Sequence, residues 1–320
     1  IQVYVRRKPR SLTEHLGTGR HYNINSKSGR LHILYSDFAN AEWSVYNNDL
    51  AAYEENMECI EAVKYPYVVI APSYMIYTQN YDELLKTHIE SGADITLLYH
   101  SVDNAKEYYL NCSTLNLNKQ KGVLSLEPNH GNAKNRNIFM DTYVMRKDLF
   151  MELVKKGRKI SSMFTLNDIV NMACSELDVR GVSHRGFFAS ITDFTSYYNA
   201  NLSLIDMKNA VTLFDKNWPI YTRTNDSCPT KYYEGASVKS SVISNGCLIE
   251  GTVENSVIGR GCVIKKGAVV KDSVILPGVV IGEDARIEAQ VVDKSARIVH
   301  AKELIADPEK PGYVRRNDTL

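Results

Sequence analysis

The sequence predicts an α/β domain built on a mostly parallel sheet, followed by a parallel β-helix of hexapeptide repeats. Three observations predict it. Aliphatic residues recur every six positions at Val257, Val263, Val269, Ile275, Ile281 and Ile287. Upstream, short apolar runs alternate with stretches of helical spacing. Between the two lies a polar stretch, residues 214–233, that contains Pro219 and Pro229 and reads as a linker. The predicted boundaries are 1–213 for the α/β domain, 214–233 for the linker and 234–320 for the β-helix.

Taken in order, Ile1–Val5 is a strand candidate, followed by the charges of Arg6, Arg7 and Lys8. Tyr67–Ala71 has the uninterrupted apolar character of a strand buried on both faces. Tyr81–Ser91 carries Leu84, Leu85 and Ile89 at helical spacing and stops at Gly92, where a left-handed residue ends a helix without strain. Ile95–Tyr99 is the next strand, so the three elements form a βαβ unit. Phe194–Met207 reads as a helix leading out of the domain. The repeat cannot be helical, because six residues turn an α-helix by about 600°, far from a whole number of turns. A coil of short strands with three hexapeptides per rung holds that period, each aliphatic facing inward. Small or short residues two positions earlier (Gly261, Gly267, Ser273, Val279, Ala285) suit its corners. The expectation is that Val263, Val269, Ile275, Ile281 and Ile287 are buried in stacked rows.

Composition narrows the function classes. In 320 residues, 38 Lys and Arg stand against 37 Asp and Glu, so no global field attracts nucleic acid or an anionic membrane. No run approaches the roughly 18 apolar residues of a membrane span. The N-terminal charge follows its short apolar stretch, the reverse of a secretory signal. The six cysteines form no C-x-x-C pair and read as reduced core thiols, so the expected location is cytoplasmic.

Four segments then carry a resemblance: Ser11–Leu16, His88–Asp94 (His-Ile-Glu-Ser-Gly-Ala-Asp), Asp141–Val144 and Ser196–Asn201 (Ser-Tyr-Tyr-Asn-Ala-Asn). Their order and spacing resemble the bacterial glucose-1-phosphate adenylyltransferase (ADP-glucose pyrophosphorylase) family over nearly the whole chain. The resemblance implies a nucleotidyltransferase-type, Rossmann-like sheet and a left-handed β-helix. It also implies a Gly-rich triphosphate loop, G-x-G-x-R-L, which this sequence lacks. Gly17-Thr-Gly19 is a lone G-x-G in a loop. The reading is that the chain starts inside the first domain, after that loop.

Nucleotidyl transfer from ATP to glucose 1-phosphate needs two polyanions positioned and their charge neutralised, a task for Mg²⁺. The family implies two metal-holding aspartates, hard oxygen ligands that suit this ion. At the matching positions stand Tyr74 and Ser190, and the family's arginine next to the second falls on Ala189. A neutral phenol or hydroxyl is a poor ligand for Mg²⁺. The family lysine facing the sugar phosphate becomes Glu127, and its S-M-G segment becomes Phe139, Met140 and Asp141. The family's G-T-A-D-A stretch is replaced by Asn47–Ala51. A slipped register brings Asp193 in place of Ser190.

The expectation is therefore no catalytic residue, no metal and no cofactor in this chain, with Tyr74 and Phe139 filling a vacated pocket. The function expected is that of a regulatory subunit, like the non-catalytic D-type subunit of glycogen biosynthesis. Its partner is expected to be a catalytic adenylyltransferase subunit that carries Mg²⁺, in a tetramer, with a sugar-phosphate or nucleotide effector possible in principle. One alternative is an active sugar-nucleotidyltransferase with a rebuilt site. Another is a hexapeptide acyltransferase, which needs a histidine near the coil; the only late one, His300, lies beyond the regular repeat.

Overall fold

The computed structural model describes residues 1–6, 9–22, 24, 30–36, 46–222 and 226–320. Arg7 and Lys8 of the N-terminal charge run, and residues 223–225 of the expected linker, lie outside them. Two compact units result. One comprises Ile1–Phe188 with 220–224, the other Ala189–Pro219 with 225–320.

In the first unit β1 (Gln2–Val5) and β2 (His32–Tyr35) pair in parallel, with α1 (Pro9–Leu16) between them in sequence. Gly17 and Gly19 follow α1 with positive φ, and Gly17 N–H returns to the Thr13 carbonyl. This G-x-G ends a helix, whereas a phosphate cradle precedes one. After α2 (Asp49–Glu55) and α3 (Met57–Glu61) come β3 (Tyr67–Ile70), β4 (Met75–Tyr77), α4 (Tyr81–Ser91) and β5 (Ile95–Val102). Asn80 caps α4, accepting from the Asp82 and Glu83 amides, and Gly92 closes it at φ 67°.

The predicted βαβ unit is present, with an insertion. β8 (Arg136–Arg146) runs antiparallel between β3 and β5, which therefore point the same way. β9 (Val179–Ser183) adds in parallel to β5. On the other side β6 (Ser113–Leu117) and β7 (Val123–Pro128) form an antiparallel hairpin that touches β8. Alternation decides the two cores. Ile95, Leu97 and Tyr99 face one side with Phe139, Tyr143 and Met145, under α2, α5 (Lys147–Ile160) and α6 (Leu166–Ala173). Leu98, Ile138, Met140 and Val144 face the other, with Met75 and Leu84 of α4.

The second unit opens with the last residues of β10 (Phe188–Ser190), then α7 (Phe194–Ser203) and α8 (Met207–Leu213). The helix expected as one piece to Met207 breaks after Ser203, because Asp206 caps a new start by accepting from the Lys208 amide. It also does not close the first domain. Tyr198, 1 % exposed, packs on Val274 and Val291 of the coil, and its hydroxyl donates to the Asp272 carbonyl at 2.5 Å.

The coil has three five-stranded parallel sheets. Its register corrects the expectation in one respect. The buried row is Ile258, Ile264, Val270, Ile275, Ile281, Ile287, Val292 and Ile298, all at most 1 % exposed. Val263 and Val269 are half-buried and face outward. From Thr252 to Glu303 the rungs repeat every seventeen residues, as Val257 under Val274 under Val291 shows, one short of three hexapeptides. The missing residue is at the corner of Asn255, Asp272 and Ala289, whose left-handed φ of 45°, 45° and 50° closes the turn in five residues. A strict period of six therefore slips off the inward row at each such corner. Inside it, Ser256 and Ser273 are fully buried, and each accepts from the amide one rung on, Ser273 and Gln290 respectively. Cys247 and Cys262 line the interior, whereas Cys228 is exposed and no core thiol. Among the described residues no helix is long and apolar enough to cross a membrane.

Candidate functional site: a tyrosine–aspartate pair in a split sheet

β8 contains an irregularity that builds the site. Leu98 pairs with Thr142 and Tyr99 with Phe139, so Met140 and Asp141 are two extra residues in the strand. An even insertion keeps the inside–outside alternation in phase on both sides of it. Asp141 takes φ 43°, a conformation Asp tolerates better than most residues. On the opposite edge β3 pairs with β8 only as far as Tyr143, and β6 only at Ile138. The sheet is thus split beside Asp141, at the carboxyl end of β3, where ligands of open α/β sheets bind.

The loop leaving β3 brings Tyr74 to that split, and its hydroxyl donates to Asp141 Oδ2. Burial raises the Asp141 carboxyl to about 6, against the lowering effect of the Tyr74 hydrogen bond, and the Asp49 charge raises it further. Burial also pushes Tyr74 well above its ordinary range, with the Asp141 charge adding to it. Asp49 is itself raised, chiefly by burial, although the Leu166 amide at 3.1 Å and the charge of Arg6 oppose this. Tyr53 and Tyr143 respond to the same charges and are raised with burial as the main cause. Next to Asp49, the buried Asn47 side chain donates to the Arg6 carbonyl at 2.8 Å, while its Oδ1 has no hydrogen-bond partner.

Of the sequence-predicted residues, the structure brings together Tyr74 and Asp141. Phe139 is fully buried in the core under α5, edge-on to Tyr143 at 5.0 Å, and Met140 is fully buried in the opposite core. They occupy two separate cores. Glu127 is exposed on β7. Hydrogen bonds from Asn116 and Ser125 hold its carboxyl below the usual range, with lesser help from the Arg136 charge. Ala189 and Ser190 belong to the second unit, where Ser190 is buried at the end of β10. Asp193 caps α7, accepting from the Ser196 amide at 2.7 Å in a capping box, a structural role for the residue of the slipped register.

Tyr53 escaped the sequence reading, and Asn47 and Asp49 entered it only within the stretch that replaces the family's G-T-A-D-A. Asn48-Asp49 is a recognisable helix start, with Asn48 accepting from the Ala51 amide at 2.9 Å, but nothing local marks Asp49 as a neighbour of Asp141. A divalent cation does not fit the tyrosine position. The Tyr74 proton lies against Asp141, and burial strengthens its hold on the phenol. Among the described residues no three His, Cys, Asp or Glu side chains cluster to hold a metal.

Comparison with known proteins agrees with this architecture. The GlmU-like C-terminal hexapeptide family matches residues 229–313. The glucose-1-phosphate adenylyltransferase of Clostridioides difficile (strain 630) is 29 % identical over 286 residues, 88 % of this chain and 73 % of that protein. That of Clostridium perfringens (strain 13 / Type A) is 29 % identical over 285 residues, 87 % and 71 % of the two chains. That of Bacillus cereus (strain ATCC 10987 / NRS 248) is 25 % identical over 319 residues, 97 % and 82 %. With an α/β sheet domain and a hexapeptide coil, this chain is similar over most of its length to bacterial glucose-1-phosphate adenylyltransferases.

Proposed function

We propose that this chain is a regulatory, catalytically inactive subunit of a glucose-1-phosphate adenylyltransferase. One observation carries the reading: where the resemblance calls for a metal-binding carboxylate, the hydroxyl of Tyr74 donates to Asp141. The Tyr74 phenol keeps its proton against the Asp141 carboxyl where Mg²⁺ chemistry needs a second anionic oxygen. The exposed acid Glu127 in place of a lysine supports the same reading. Mg²⁺, ATP and glucose 1-phosphate then act in a catalytic partner subunit, and this chain contributes by assembling with it in a tetramer and altering its response to effectors.

The test is direct. Full-length protein with Mg²⁺, ATP and glucose 1-phosphate is expected to form ADP-glucose at less than about a thousandth of the rate of an active homologue, the loss of roughly 4 kcal/mol of charge stabilisation. Robust turnover abolished by Asp141→Asn or Asp193→Asn overturns the reading in favour of a rebuilt active site.

A further inference from the structure

Two cysteines stand one above the other inside the coil. In the register that pairs Leu248 with Val263 and Ile249 with Ile264, the residue before each strand is a cysteine, Cys247 on one rung and Cys262 on the next. The ladder runs through both: the Lys231 amide donates to the Cys247 carbonyl at 2.8 Å, and the Leu248 amide to the Cys262 carbonyl at 2.9 Å. Both side chains are fully buried in the core of the coil. Neighbouring strands lie about 4.8 Å apart, within the Cα separations of about 4.4–6.8 Å that a disulfide spans. Cys247 Sγ reaches toward the next rung, 3.1 Å from the Gly259 carbonyl oxygen. Cys262 Sγ lies 3.2 Å from that of Leu276, and a χ1 rotation turns it back toward Cys247.

A hydrogen bond between the two thiols holds Cys247 below the ordinary thiol range and, with burial, raises Cys262. The sulfur that ionises more easily is the one that attacks. The layer above it is thin. Thr230, whose hydroxyl accepts from the Cys247 amide at 3.2 Å, leads into β11 (Lys231–Tyr232), the edge strand of its sheet, with both residues exposed. A two-residue edge strand opens locally more readily than the rungs inside. We propose that Cys247 and Cys262 are a peroxide-responsive thiol pair that closes to a disulfide between two rungs of the coil. First, the Cys247 sulfur, its proton lost to water, attacks one oxygen of hydrogen peroxide; the O–O bond breaks, hydroxide leaves and Cys247 becomes a sulfenic acid. The Cys262 sulfur, also deprotonated, then attacks the Cys247 sulfur; the S–O bond breaks, a second hydroxide leaves and the S–S bond forms. The two released protons turn the two hydroxides into water, and the two electrons lost by the thiols reduce the peroxide. The proposal does not depend on whether the chain is catalytic or regulatory.

Hydrogen peroxide added to the full chain, followed by unfolding and alkylation, tests it. Cys228→Ser is used as the background, since it removes the exposed thiol. Peptide mapping is expected to find Cys247 joined to Cys262, with the intact mass lower by two hydrogen atoms. The melting temperature is expected to rise by at least about 4 °C, and dithiothreitol is expected to reverse both changes. Adding Cys262→Ala is expected to abolish the link and the rise, and to leave a sulfenic acid on Cys247 that dimedone traps. If that chain does not fold, the mapping and the melting shift in Cys228→Ser still decide. Three results overturn the proposal. One is a link mapped to any other cysteine. Another is Cys247 and Cys262 both still free under peroxide that fully oxidises Cys228 in the unsubstituted chain. The third is a Cys247–Cys262 link that leaves the melting temperature unchanged.

Discussion

Asp141 shows what burial does to a single carboxyl. Its folded value of about 6 lies above the ordinary 3.8, so the folded state binds the proton more tightly than the unfolded one. Stability from this group is therefore complete below about pH 4 and falls as pH rises through 6. Asn keeps an acceptor for the Tyr74 hydroxyl and tolerates the left-handed backbone, so Asp141→Asn is expected to raise stability at pH 7.5 by about 1–3 kcal/mol and by nothing at pH 4. Urea unfolding at the two pH values checks this, and equal gains at both count against it. The histidine pair slopes the other way. His184 Nε2 donates to the Thr78 carbonyl at 3.0 Å, so its Nδ1 accepts from His100 Nδ1 at 3.1 Å. Burial lowers both rings below their usual value, and at His100 the neighbouring His184 adds to it. Stability from the pair is present above about pH 6.5 and is lost as pH falls below it, since protonating both rings sets two N–H groups face to face. His100→Gln, which donates without titrating, is expected to flatten the loss between pH 6.5 and 5 by about 1 kcal/mol; an unchanged slope contradicts the tautomer assignment.

Among the elements, the coil separates a correct period from a correct phase. The hexapeptide rule points to Val263 as readily as to Ile264, because both are β-branched aliphatics in a two-residue strand. The ladder puts Ile264 against Ile249 and Ile281, inside, and Val263 against Leu248 and Val280, outside. Ile264→Ala is therefore expected to cost about 2–4 kcal/mol and Val263→Ala less than about 1 kcal/mol. Thermal unfolding of the pair decides the phase, and equal losses would refute it. The same reasoning explains β8. Its sequence reads as one strand, and nothing in it announces that Met140 and Asp141 are extra, because the count depends on the partner strand.

For the whole molecule, a regulatory subunit acts through what it joins. Mixed with an active homologue, this chain is expected to alter that enzyme's rate or effector midpoint at least threefold while adding no turnover of its own. A kinetic titration that leaves the partner unaffected at micromolar excess, with no co-sedimentation, rejects the regulatory role. Restoring Tyr74→Asp by itself sets a second acid against Asp141. That variant is expected to lose stability at pH 7.5, since two like charges must then be buried together.

The sequence by itself determined the class of each half. Tyr67–Ile70, Tyr81–Ser91 and Ile95–Val102 fold as their local patterns predict because the signals for them, apolar runs, an Asn cap and a terminal glycine, act within a few residues. The six-residue spacing likewise marks a coil, because its period belongs to the chain itself. Only the tertiary structure decided the rest. Seventeen-residue rungs depend on left-handed corners at Asn255, Asp272 and Ala289, which no periodicity counts. The meeting of Tyr74 with Asp141, the raised carboxyl that results, and the consignment of Phe139 and Met140 to opposite cores depend on β8 being inserted between β3 and β5. Hydrogen-bond registry and burial are properties of neighbours far apart in the chain, and the electrostatics of a site follow from both.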